Sequence, residues 1–153
     1  MKKKIALLVL LVSAAIFVFA GIHVFQWWMD NSKTGEMVKD ITVKAQPNAN
    51  SVDFKALKEI NTETAGWIRV SGTQIDYPYV KTNNNDYYLT HTFDRRVSGA
   101  GWVFMVYRNN ATIWGRNNVI YAHGRADGTM FGSLTTALGE ECQNNKSHHY
   151  VQT

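Results

Sequence analysis

The residues able to do chemistry concentrate between positions 117 and 131. An apolar strand pattern over 118–122 runs straight into His123, then Gly124-Arg125-Ala126-Asp127-Gly128, then Thr129-Met130-Phe131. A strand end is a rigid mount, and a Gly-flanked loop leaves room for a substrate beside it. An imidazole placed there can give or take a proton near neutral pH. A histidine at a strand end also serves as a packed or surface residue, so position alone leaves both roles open. The one cysteine, Cys142, follows Glu140 and Glu141. Two adjacent carboxylates oppose a thiolate, so it reads as a surface or packing thiol and not a nucleophile. It can form no internal disulfide. A zinc site from His123, Asp127 and one of His148 or His149 is a further possibility. Being adjacent, the last two would point to opposite faces of a strand and could not both serve it.

These residues need elements to hold them. Phe54, Leu57 and Ile60 recur three apart behind Ser51 and Asp53, a short capped helix over 53–60. β-formers then predict strands over 66–70 and 74–80, joined by a turn at 71–73. Pro78 confines the second of these to an edge or a bend. Asn83-Asn84-Asn85-Asp86 is a turn or cap leading into Tyr87-Tyr88-Leu89, with His91 on the surface beyond. Strands follow over 102–106 and 118–122, a helix over 129–138 with Met130, Leu134 and Leu138 on one side, and a strand beginning at 148–153. Short strands with small helices between them make a mainly β fold, an antiparallel barrel or sandwich with helical insertions. The last strand has nothing to cover its edge, so the domain reads as incomplete at its C-terminal end.

The other end of the chain addresses a membrane. Lys2, Lys3 and Lys4 precede 24 residues, 5–28, that carry no formal charge. About 20 apolar residues span a bilayer. Trp27 and Trp28 close the run where amphipathic rings favour the headgroup level, and the lysines place the N-terminus in the cytoplasm. A cleaved leader ending at Ala20 is the alternative, but the apolar run continues well past it. Residues 30–50 are polar with mixed charge, a stalk with one marginal helical turn at 36–41. The division is therefore 1–28 cytoplasmic lysines and membrane anchor, 29–50 stalk, and 51–153 the exported domain. Beyond the anchor, 13 basic residues face 12 acidic ones, which leaves no basic face for nucleic acid.

Four blocks in order resemble the class B sortases, membrane-anchored cysteine transpeptidases of Gram-positive bacteria. They are Gly66-Trp67-Ile68 with Gly72-Thr73-Gln74-Ile75-Asp76-Tyr77-Pro78; Asn85-Asp86-Tyr87-Tyr88-Leu89 with Phe93; Gly101-Trp102-Val103-Phe104 with Tyr107-Arg108-Asn109; and the His123 block through Phe131. The resemblance implies a sortase-type β-barrel with helical insertions. It implies cleavage of a sorting motif near the C-terminus of an exported protein and transfer of the acyl group to a cell-wall amine. A cysteine attacks, a histidine acts as acid or base and an arginine steadies the oxyanion. His123 occupies the histidine position, and Asn85 and Leu89 fall beside the substrate groove. Helix cap and core leucine are the alternative roles of that pair.

The family's Thr-Leu-Ser-Thr-Cys strand and the arginine on the strand after it are not in this sequence. Arg108 reads as a structural hydrogen-bonding or ion-pairing residue. Arg125 reads as a solvated loop residue with the option of touching a substrate carboxylate. The chain is thus expected to be the N-terminal part of a sortase domain, inactive alone, needing no cofactor or metal. The alternatives are a membrane-tethered, non-catalytic peptide-binding module or a gene remnant.

Overall fold

A computed structural model describes residues 2–45, 51–112, 115, 117–134 and 149–152. Helix α1 (Lys2–Ala45) runs without a break. Its apolar N-terminal part is exposed on all sides, long and apolar enough to cross a membrane. The structure departs from the sequence reading beyond it. Residues 30–45 are not a stalk with one helical turn but a continuation of the same helix, and Thr34, Met37, Ile41 and Ala45 are buried. Their three- and four-residue spacing makes one face that lies against the domain. Flanking that face, the exposed Lys44 pairs with Asp40 one turn earlier at 2.9 Å. The mixed charge that suggested a stalk is the solvated side of an amphipathic helix.

Helix α2 (Phe54–Ile60) is capped by Asp53, whose Oδ1 accepts the Ala56 N–H at 3.0 Å. Its Leu57 is fully buried. Strands β1 (Thr64–Val70) and β2 (Asp76–Val80) form an antiparallel hairpin with Trp67 opposite Pro78. Strands β3 (Phe104–Met105), β4 (Ile120–Tyr121) and β5 (His149–Gln152) complete a mixed sheet in the order β4-β3-β2-β1-β5. The β2–β3 pairing is parallel and the others are antiparallel. Among the described residues β4 and β5 are the sheet's outer strands.

Pro78, whose expected place is an edge or a bend, sits in an inner strand and not at an edge. It is tolerated because the β2–β3 ladder consists of one pair, Val80 opposite Phe104, so the N–H missing at residue 78 leaves no gap in it. The carbonyl of Pro78 instead accepts the Trp102 indole N–H at 2.8 Å. Around that indole lies the core. Tyr77 meets it edge-on with ring centroids 5.9 Å apart, and Phe93 lies at 5.6 Å. Tyr79, Tyr88, Phe104, Ile75 and Met105 are buried with it. The helix expected over 129–138 is absent from 129–133, which are turns apart from a bridge at Met130; Leu134 is helical, and residues 135–138 lie outside the described part.

Candidate active site around His123

His123 follows β4, and β4 is fixed by the chain that turns into it. The side chain of Asn109 donates to the Asn117 carbonyl at 2.8 Å and accepts the Val119 N–H at 3.1 Å, tying the β3–β4 connection together. After His123 the chain folds back. The Phe131 N–H reaches the His123 carbonyl at 3.0 Å, and Gly124 bridges Met130. Residues 124–130 are therefore a closed loop rooted at the histidine. Met130 closes it with a left-handed φ of 51° while its side chain is buried. Such a conformation in a non-glycine residue stores strain that surrounding contacts must hold.

The imidazole is half-buried, and its Nε2 lies 2.7 Å from the Leu89 carbonyl. A carbonyl only accepts, so Nε2 carries the proton and the neutral ring keeps its lone pair on Nδ1. Leu89 ends a 3-10 turn, Tyr87–Leu89, which presents that carbonyl. Gly101 makes the approach possible. With φ at +59°, a Cβ on it would stand 2.7 Å from the Tyr88 carbonyl, 2.8 Å from His123 Cδ2 and 2.9 Å from the Leu89 carbonyl. Only a glycine fits between the histidine and the turn that holds it.

The structure thus brings His123 and Leu89 together, through a backbone oxygen. The Leu89 side chain is 39% exposed, so the core-leucine alternative does not hold. Asn85 accepts the Tyr107 N–H on its Oδ1 at 3.0 Å and joins the turn to the segment after β3. The capping role falls to its neighbour Asn84, whose Oδ1 accepts from both Asp86 and Tyr87 at 2.9 Å. His91 is not a free surface residue. It stacks on Tyr87 with ring centroids 4.0 Å apart, and its Nδ1 lies 2.8 Å from the Tyr87 carbonyl.

Arg125 is not solvated either. Its side chain is 12% exposed, and it pairs with Asp127 at 3.0 Å. Both are gripped by Asn31 of α1, which accepts from Arg125 and donates to Asp127 Oδ2 at 2.8 Å. Asp127 also accepts the Thr129 hydroxyl at 2.6 Å and the Thr129 N–H at 3.1 Å. Partial burial pushes the Asp127 carboxyl up, but the hydrogen bonds from Arg125, Thr129 and Asn31 outweigh it and hold the group well below the usual carboxylate range. Arg108 donates to the Tyr107 hydroxyl at 2.8 Å and lies over that ring. No three His, Cys, Asp or Glu side chains gather among the described residues. Cys142, His148 and the side chain of His149 lie outside them.

Comparison with known proteins points to the sortases B. Sortase B of Listeria monocytogenes is 30% identical over 139 residues, covering 86% of this chain and 56% of that protein. Sortase B of Staphylococcus aureus is 36% identical over 85 residues, covering 56% and 35%. A crystal structure of sortase B from Bacillus anthracis in complex with AAEK1 superposes with a TM-score of 0.74 at 36% identity, over 82% of this chain and 63% of that one. Over most of its length the chain is similar to class B sortases. No family profile matches it. It spans about half the length of the Listeria relative and about a third of the Staphylococcus one.

Gly101, Asn109 and Asn31 position the His123 segment without having been singled out for it in sequence. Gly101 had a signal, standing in one of the four family blocks. Asn31 had none, because its partners lie 94 and 96 residues away.

Proposed function

We propose that the protein is a class B sortase whose His123 is the acid–base residue of a cysteine transpeptidation. His123 Nδ1 takes the proton of the cysteine thiol, and the thiolate attacks the carbonyl of a sorting motif in an exported protein. The imidazolium returns that proton to the departing amine, leaving a thioester. A cell-wall amine then takes the acyl group, its proton passing to His123 as the thiolate leaves. Asn85 and Leu89 border the peptide groove. The strands belong to a sortase barrel, whose chemistry also needs a nucleophilic cysteine and an oxyanion arginine. Residues 1–28 carry the anchor with its N-terminus in the cytoplasm, and the domain works outside the cell. The observation that carries the reading is His123 at the end of β4 with Nε2 fixed 2.7 Å from the Leu89 carbonyl, in a chain 30–36% identical to sortases B. A solved sortase B complexed with triglycine supports an oligoglycine-like amine as the acceptor class.

A transfer assay tests it, with a sorting-motif peptide and triglycine as substrates and mass spectrometry as readout. Residues 1–153 alone are expected to give no product. A form extended after Thr153 by strands that carry the family's cysteine and arginine is expected to give the ligated peptide. Replacing His123→Ala in that form should lower turnover by about 10²–10⁴-fold, the usual worth of general acid–base catalysis. Full turnover in the variant removes His123 from the mechanism.

A further inference from the structure

We propose that the His123 end of the domain rests on the bilayer surface, with segment 97–99 and loop 125–128 as a base seated in the headgroup layer. The inference rests on the reading that α1 crosses a membrane. The helix is continuous, so its register fixes height. At 1.5 Å per residue, Asn31 stands only about 4.5 Å beyond Trp28. The headgroup region is about 5–7 Å thick on each side of the hydrocarbon core, so Asp30 and Asn31 lie within it.

Both residues are occupied by the domain. Asp30 accepts the Ser98 hydroxyl at 2.7 Å, and Asn31 holds Arg125 and Asp127. Two loops distant in sequence are thereby tied to the first extramembrane turn of α1. The opposite end of the domain is tied to the far end of the helix, where the Asp53 N–H meets the Ala45 carbonyl at 3.0 Å. That contact is about 21 Å further along the axis. The base therefore faces the membrane and α2 faces away. Beside Ser98 stands Val97, 80% exposed and apolar, with Gly99 exposed on the other side. In water that valine is an unfavourable surface group; at the headgroup boundary its side chain enters the apolar layer. The partner of this surface is the lipid of the membrane that α1 itself crosses.

Spin labels on the full chain in nanodiscs of phosphatidylcholine and phosphatidylglycerol test the seating. Cys142→Ser removes the one native thiol, and single labels enter at Val97→Cys, Ala126→Cys, Lys55→Cys on α2 and Phe17→Cys within the apolar run. Power saturation with oxygen and a nickel chelate reads depth at each site. The labels at 97 and 126 are expected to show oxygen-to-nickel ratios several-fold above that at 55 and below that at 17. Ratios at 97 and 126 equal to that at 55, with 17 in lipid, overturn the seating and leave the anchor intact. An aqueous reading at 17 overturns the anchor, and the seating falls with it.

Discussion

Two regions meet at Gly101 and are held by different physics. On one side lies the interior around Trp102, Tyr88 and Asn61, where burial dominates and polar atoms, the Tyr79 hydroxyl excepted, are satisfied internally. The Asn61 amide donates to the Tyr88 hydroxyl at 2.7 Å and to the Phe93 carbonyl at 2.6 Å, and Tyr88 donates to Glu63 at 2.6 Å. Burial leads in pushing the Tyr88 phenol up to about 12, so it stays a neutral donor. On the other side is the His123 loop, short of apolar burial except at Met130 and held by polar side-chain clamps on partly exposed groups. The interior fixes where His123 is mounted, whereas the clamps fix how the loop beyond it lies. Damage to the first should unfold the domain, and damage to the second should loosen a loop in a folded one.

The strongest break of that contrast is Trp102→Ala. It empties a large fully buried site and orphans the Pro78 carbonyl. A loss of about 3–5 kcal/mol is expected from such a truncation, measured by denaturant titration of the full chain in detergent micelles. A loss under about 1 kcal/mol, the level of a surface substitution, would show that the indole does not organise the interior.

Gly101→Ala falls between the two regions and should touch both. The added methyl must displace two backbone carbonyls and the imidazole, at a left-handed φ. About 1–3 kcal/mol of destabilisation is expected from overpacking. The sharper readout is His123 itself, whose ring NMR signals should shift as Nε2 leaves the Leu89 carbonyl. Unchanged signals would mean that the close approach does not hold the histidine.

The same division decides what the sequence could reveal. The interior was legible because it is written in local patterns: the β-formers of 66–70, the Phe54-Leu57-Ile60 spacing and the Trp102 block all stand where the structure uses them. His123 was legible as a strand-end histidine in a family block. The roles of Arg125 and Asn31 were not, since a polar loop arginine and a polar helix residue carry no mark of a partner some 90 residues away. Residues 30–45 misled for a related reason. Their charges dominate the composition, while the buried stripe of Met37, Ile41 and Ala45 is thin. Pro78 misled because the rule against proline in inner strands presumes a full ladder, and β3 offers β2 a single pair.

The smallest expected effect sharpens the contrast most, because it separates loop order from stability. Asn31→Ala removes both contacts from α1 to the Arg125–Asp127 pair. Global stability should fall by no more than about 1 kcal/mol, since a partly exposed polar clamp contributes little net. Hydrogen exchange of amides 125–129 should nonetheless quicken, while those of β1 and β2 stay unchanged. Acid should reproduce the effect in the unmodified chain. The Asp127 carboxyl is held below its ordinary range, so its stabilisation is complete above the unfolded value of about 3.9 and is lost as pH falls below it. Loop protection should therefore weaken on acidification below that value, and Asp127→Asn should flatten the dependence. Loop and sheet amides quickening together, in either experiment, would show one cooperative unit in place of two differently held regions.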